Sequence, residues 1–155
     1  MIRPTLLCVD DDPAVLEFYR VLFTAHGYHV VVARDAFEGL QILNSRPISA
    51  VVLDQEMPQL RGSEAAAEIK RRTPSLPIVL VSGCESVVRA VPRFVDAAVE
   101  KGASITCLVG KVDDLLRRTR AKHPPAVFTK RAFLPLGSAL AAVAMAAAVV
   151  SRAWK

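Results

Sequence analysis

Apolar residues fall along this chain in two alternating rhythms. Short continuous runs at residues 6–9, 28–33, 50–53 and 77–81 lack any polar alternation, as strands covered on both faces do. Between them apolar positions recur at helical spacing, as in Val15, Phe18, Tyr19 and Leu22, then Ala36, Leu40 and Leu43, then Ala65 and Ile69. Asp12 followed by Pro13 predicts a helix start and Gly27 a helix stop, bounding a first helix at 13–26. Further helices are predicted before Pro47, at 64–72, a short one around 86–94 interrupted or ended by Pro92, and at 105–118. The segment 97–101 is predicted as a fifth, weaker strand.

Five strands alternating with five helices in about 120 residues predict an α/β domain, a parallel sheet wound with helices on both faces. In such a sheet the functional crevice lies beyond the carboxyl ends of the strands. Asp10 and Asp11 leave the first strand, Asp54 the third, Ser82 the fourth and Lys101 the fifth, all at that end.

Charge divides the chain. Up to Leu116 there are 12 Lys/Arg against 15 Asp/Glu, whereas from Arg117 onward there are 8 Lys/Arg and no carboxylate. The overall +5 therefore describes a basic tail, not a basic domain, and no nucleic-acid partner is expected. About 35 residues after the domain also leave no room for a helix-turn-helix with its own core. Cys8, Cys84 and Cys107 are an odd, scattered set without a C-x-x-C pair, and are expected as buried thiols in a reducing compartment. The start of the chain reaches "VDDD" before any adequate apolar stretch, which argues against a signal peptide and for a cytoplasmic domain.

The acidic run "LLCVDDDP" ends a buried strand in three carboxylates. Asp12 is accounted for as a helix cap. Asp10, Asp11 and Asp54, converging from neighbouring strands, would repel one another unless a divalent cation neutralised them. Oxygen-only ligands favour a hard ion, and Mg2+ characteristically takes one or two carboxylates, waters and a phosphate oxygen. Lys101 offers a point charge and Ser82 a hydroxyl to the same phosphate, a set suited to phosphoryl transfer.

These pieces, "VDDD" at 9–12, "LDQEMP" followed by Gly62, "LVSG" at 80–83 and Lys101 after the fifth strand, resemble the receiver domain of two-component response regulators over about residues 5–118. The resemblance implies a flavodoxin-like sheet of order 2-1-3-4-5. It implies that Asp54 is the phosphoacceptor, served by a sensor histidine kinase or phosphotransfer protein. Asp11 would ligate Mg2+ directly, Asp10 through water, and Glu56 by its backbone carbonyl, with Ser82 and Lys101 on the phosphoryl oxygens. In that family the positions of Glu56 and Cys84 also tune how fast the aspartyl phosphate hydrolyses. Two positions depart from the family pattern: Gly102 stands where proline usually follows the lysine, and Ala98 where an aromatic ring usually lies three residues before it. A receiver of this kind is a phosphoryl acceptor signalling to a downstream protein, not an enzyme in its own right. The other readings are a degenerate receiver that binds a partner independently of phosphate, and a haloacid-dehalogenase-type phosphatase with Asp10 as nucleophile. The phosphatase needs later acidic metal ligands after a strand, whereas Asp113 and Asp114 fall within a helical pattern.

The chain is thus expected as a receiver at 1–120, a basic Pro-containing linker at 121–131, a hydrophobic helix at 132–151 and a short tail at 152–155. The 20 residues 132–151 carry no charge and have the length of a membrane span, so they are expected as a single-pass transmembrane helix anchoring the receiver. The other reading is an alanine-rich helix packed on a partner or lying on the membrane surface; alanine contributes little to insertion and Pro135, Gly137 and Ser138 oppose it. Six Lys/Arg between Arg117 and Arg131 precede the segment and two follow it, Arg152 and Lys155, so the positive-inside rule keeps the receiver cytoplasmic.

Overall fold

A computed structural model describes residues 3–122. The elements alternate strictly: β1 (Thr5–Val9), α1 (Pro13–Ala25), β2 (His29–Ala33), α2 (Ala36–Ser45), β3 (Ala50–Asp54), α3 (Gly62–Arg72), β4 (Ile78–Ser82), α4 (Glu85–Arg89), β5 (Ala97–Glu100) and α5 (Ile105–Lys122). All strand pairs are parallel and the order is β2-β1-β3-β4-β5, the order the family resemblance implies. The strand order reverses between β1 and β3, and that switch point sets Asp10 and Asp54 side by side at the carboxyl edge.

The apolar runs are apolar because they are covered twice. Every residue of β3 and of β4 is buried, while β2 at the sheet edge is mostly half-buried. Along β1, Leu6 and Cys8 pack on one face with Tyr19, Phe23, Leu108 and Val112. Leu7 and Val9 pack on the other with Ala65, Ile69 and Leu80. Truncating a fully buried leucine such as Leu6 or Leu80 to alanine costs roughly 2–5 kcal/mol in such a core.

Helix ends follow their local chemistry. The Asp12 carboxylate accepts the Ala14 N–H at 2.8 Å with Pro13 in the first turn, and His26 closes α1 ahead of Gly27 at φ +85°. Asp35 caps α2 by accepting the Glu38 N–H at 2.8 Å.

Several expectations need correction. α3 begins at Gly62, two residues before the predicted start: Glu64 Oε2 accepts the Arg61 N–H at 3.0 Å and the buried Gln55 side chain accepts the Ser63 N–H at 2.9 Å, so the first turn's donors are satisfied. α4 spans only Glu85–Arg89, so the helix expected around 86–94, to be interrupted or ended by Pro92, ends ahead of that proline. Pro92 has no N–H to continue the helix, and it disfavours helical backbone at Val91. α4 buries none of its residues, and Val91 and Phe94 beyond it are exposed. α5 runs to Lys122, past the expected domain boundary at 120. Of the cysteines, only Cys8 is a buried thiol; Cys84 and Cys107 are exposed, one at the start of α4 and one on the outer side of α5. The linker 123–131 and the expected hydrophobic helix 132–151 lie outside the described residues. Among the described residues no helix is long and apolar enough to cross a membrane.

Candidate phosphoacceptor and cation site

Four strand ends converge at one edge of the sheet. Asp10 follows β1 and its N–H donates to Ala33 O, tying it to the end of β2. Asp54 ends β3, Ser82 ends β4 and Lys101 follows β5, its own N–H donating to Ser82 O at 2.8 Å. Asp10, Asp54 and Ser82 are buried, Asp11 is exposed and Lys101 is half-buried.

The Lys101 ammonium reaches Asp54 Oδ1 at 2.7 Å. One oxygen of Asp10 accepts the Asp12 N–H at 2.9 Å, while Asp10 Oδ2 and Asp54 Oδ2 are buried with no hydrogen-bond partner among the described residues. Carboxylate oxygens of Asp10, Asp11 and Asp54 all lie within 4.8 Å of one another. Orphaned buried carboxylate oxygens are costly, and a hard cation is the partner that satisfies them. The cluster is oxygen-only and Asp11 opens it to solvent, leaving coordination positions for water or a phosphate oxygen. The residues therefore fit Mg2+.

Electrostatics agree. Burial pushes the Asp10 carboxyl up to about 7, with the nearby charges of Asp54 and Asp11 adding to it against the Asp12 N–H and Lys101. Burial likewise raises Asp54, although its contact with Lys101 pulls the other way. Burial lowers Lys101, but the contact with Asp54 and the charges of Asp54, Asp10 and Glu56 outweigh it and hold the ammonium above its ordinary range. In the absence of a cation the pocket carries more negative charge than one lysine neutralises.

The structure brings Asp10, Asp11, Asp54, Ser82 and Lys101 to one edge, as their places at strand ends predicted. Glu56, expected to take part through its backbone carbonyl, enters the site by its side chain. Its Oε1 accepts the Ser82 hydroxyl at 2.7 Å, and its Oε2 accepts the Gly83 N–H at 3.3 Å and stands 3.9 Å from Lys101 Nζ. Ala98 is half-buried beside the core that contains Leu80, with no ring at that position. Gly102 has φ +91°, and no peptide bond among the described residues is cis.

Two supporting residues were not singled out by sequence reasoning for what they do. Gln55 is buried, and its Oε1 accepts the Ser63 N–H at 2.9 Å while its Nε2 donates to Ser63 Oγ at 3.3 Å. It thereby caps α3 and ties that helix to the residue after Asp54. The visible signal was a glutamine directly after a buried strand with "GS" seven and eight residues on. Gly62 presses against the same turn: a Cβ there would lie 2.1 Å from Asp54 O and 2.9 Å from Leu80 Cδ1. Only glycine allows α3 to start so close to the Asp54 carbonyl.

Comparison with known proteins agrees with this geometry. The family profile described as "Response regulator receiver domain" matches residues 6–113, and the chain belongs to that family. It is 32% identical over 117 residues to the transcriptional regulatory protein GlrR of Escherichia coli (strain K12), covering 74% of this chain and 26% of GlrR. It is 36% identical over 124 residues to the response regulator MprA of Mycobacterium sp. (strain KMS), covering 77% of this chain and 54% of MprA. The chain thus spans about half or less of the length of these curated relatives. Among solved structures, a receiver domain protein from Clostridium thermocellum superposes with a TM-score of 0.70 at 23% identity, covering 77% of this chain and 98% of the other. The response regulator TrrA of Thermotoga maritima, solved in complex with Mg(2+)-BeF, superposes with a TM-score of 0.68 at 28% identity, covering 72% and 98%.

Proposed function

We propose that this receiver accepts a phosphoryl group on Asp54 from the phosphohistidine of a sensor histidine kinase or phosphotransfer protein. Asp54 Oδ2, buried and without a hydrogen-bond partner among the described residues beside a lysine-bound Oδ1, is the observation that carries the reading. An Asp54 oxygen attacks phosphorus, the P–N bond breaks, and the imidazole nitrogen leaves with the electron pair. Asp10, Asp11, Asp54 and the Glu56 backbone carbonyl would hold Mg2+, which neutralises charge on the transferring phosphoryl oxygens when bound. Lys101 moves from Asp54 onto a phosphoryl oxygen, and the Ser82 hydroxyl donates to another. The protein acts as an acceptor that changes its contacts with a downstream protein, and the reaction it undergoes is a single modification of its own carboxylate.

The uncharged segment 132–151 supports anchoring to a membrane, with the basic residues from Arg117 to Arg131 on the receiver's side and the receiver in the cytoplasm. Flotation of the full chain with neutral vesicles that survives alkaline extraction supports the anchor, and release into the soluble fraction removes it.

The test of phosphoacceptance is intact-mass measurement of the full chain after incubation with Mg2+ and acetyl phosphate, beside Asp54→Asn. A labile gain of one phosphoryl group, absent in the variant, is expected. A folded protein that gains none overturns acceptance from small donors and leaves a phosphate-independent binding module.

A further inference from the structure

The donors that would receive a phosphoryl group are already engaged by an anion within the chain. The Ser82 hydroxyl has a single proton, and it goes to Glu56 Oε1 at 2.7 Å, while Ser82 Oγ accepts the Cys84 N–H at 3.0 Å. The Gly83 N–H, next along the same turn, points to Glu56 Oε2 at 3.3 Å. Lys101 Nζ lies between the two carboxylates, 2.7 Å from Asp54 Oδ1 and 3.9 Å from Glu56 Oε2. A hydroxyl cannot donate its one proton to Glu56 and to a phosphoryl oxygen together.

We propose that Glu56 is a tethered competitor for the phosphoryl site: its carboxylate holds the Ser82 hydroxyl and the Gly83 N–H in the unmodified protein and releases both when a phosphoryl group arrives on Asp54. Its side chain is 44% exposed, so it can leave toward solvent without breaking core packing. Phosphorylation replaces the single charge of the Asp54 carboxylate by about two on the phosphoryl oxygens, and the added like charge drives the neighbouring Glu56 carboxylate outward. Release of Glu56 is then the first local movement to follow modification, and it frees the β4–α4 turn that carries Gly83 and Cys84. The inference rests on Asp54 being the phosphoacceptor.

The test uses the full chain and beryllium fluoride with Mg2+, a noncovalent stand-in for the phosphoryl group, with affinity read by calorimetry and the Gly83 and Cys84 amides followed by NMR. Glu56→Ala is expected to bind beryllium fluoride about tenfold more tightly, the scale of one hydrogen bond to a charged group. Ser82→Ala is expected to cost little in the wild-type background, where the lost contact is offset by freeing Glu56, and about tenfold in the Glu56→Ala background. The Gly83 amide should shift in unliganded Glu56→Ala in the direction that beryllium fluoride produces in the wild type.

Binding that Glu56→Ala leaves unchanged or weakens, with Ser82→Ala costing the same in both backgrounds, overturns the proposal while leaving the phosphoacceptor reading intact. Absence of binding in every folded variant overturns the phosphoacceptor reading and the proposal with it.

Discussion

Lys101 Nζ stands 2.7 Å from Asp54 Oδ1, so the buried carboxylate at the end of β3 is matched to a charge delivered from the far side of β4. The pair has two separable consequences. Lys101→Ala removes the cation that would meet a phosphoryl oxygen, and phosphorylation by acetyl phosphate is expected to fall at least about tenfold. The same change removes a positive charge from beside Asp10, Asp11 and Asp54, so Mg2+ affinity is expected to hold or rise. Mass measurement and calorimetry on the same preparation check both. A loss of both together would mean that the variant has damaged the pocket itself.

Gly62→Ala places a methyl group against the backbone carbonyl of Asp54, which cannot yield without moving the strand end, and against the fully buried side chain of Leu80. The variant is expected to lose about 2 kcal/mol or more in chemical denaturation, the range for overpacking a tight contact. Phosphorylation should drop with it, because relief requires moving either α3 or the backbone of Asp54. A fully stable Gly62→Ala would show that α3 can slide.

The pocket should make stability fall with rising pH in the absence of divalent cations. The Asp10 carboxyl is pushed up to about 7 by burial and neighbouring charge, against an unfolded value near 4. Between those values the folded protein holds a proton that the unfolded chain has released, so the folded state loses ground as pH rises through this window. Asp54, raised for the same reason, acts with the same sign. The Glu68 carboxyl, held at about 2 by Arg71 and Arg72, acts oppositely but only in acid below this range. Melting of the full chain in chelator is expected to drop by several degrees between about pH 5 and about pH 8, and Mg2+ should restore it at the upper end. A flat profile in chelator would contradict the burial of Asp10.

Strand ends make the site legible in the sequence. Apolar runs closed by Asp10, Asp54 and Ser82 marked both the buried strands and the edge at which they emerge, since a run covered on both faces must place its polar groups at its tip. The side-chain traffic of the loops was not legible in the same way. Gln55 and Glu56 stand next to each other in sequence, yet one turns back to cap α3 and the other turns across to Ser82. Nothing in their spacing distinguishes the two, because the choice is made by where α3 and the β4–α4 turn lie in space. Burial of Cys84 and Cys107 was misread for a related reason: a thiol's residue type predicts burial, but these two sit at the start of a helix and on its outer side. The membrane expectation for 132–151 concerns residues beyond those described.

Gly102 offers the sharpest test of how this receiver departs from its family. Glu100 O accepts the Ala103 N–H at 3.0 Å, closing a four-residue turn in which Gly102 is third, and its φ of +91° is the left-handed backbone that turns of this kind reserve for glycine. Lys101 is second in the same turn, so the turn sets where the ammonium points. Gly102→Ala is expected to cost about 1 kcal/mol, the ordinary penalty for a Cβ at positive φ, and to leave phosphorylation near wild type. Gly102→Pro introduces the residue the family usually carries, but proline is confined to φ near −65° and cannot adopt this turn. It should therefore destabilise more than Gly102→Ala and lower phosphorylation as well, because rebuilding the turn moves Lys101 off Asp54. Denaturation and mass measurement on the two variants decide it. Equal stability of Gly102→Pro and wild type would show that the loop after β5 can adopt the family's arrangement, and that Lys101 does not depend on this turn.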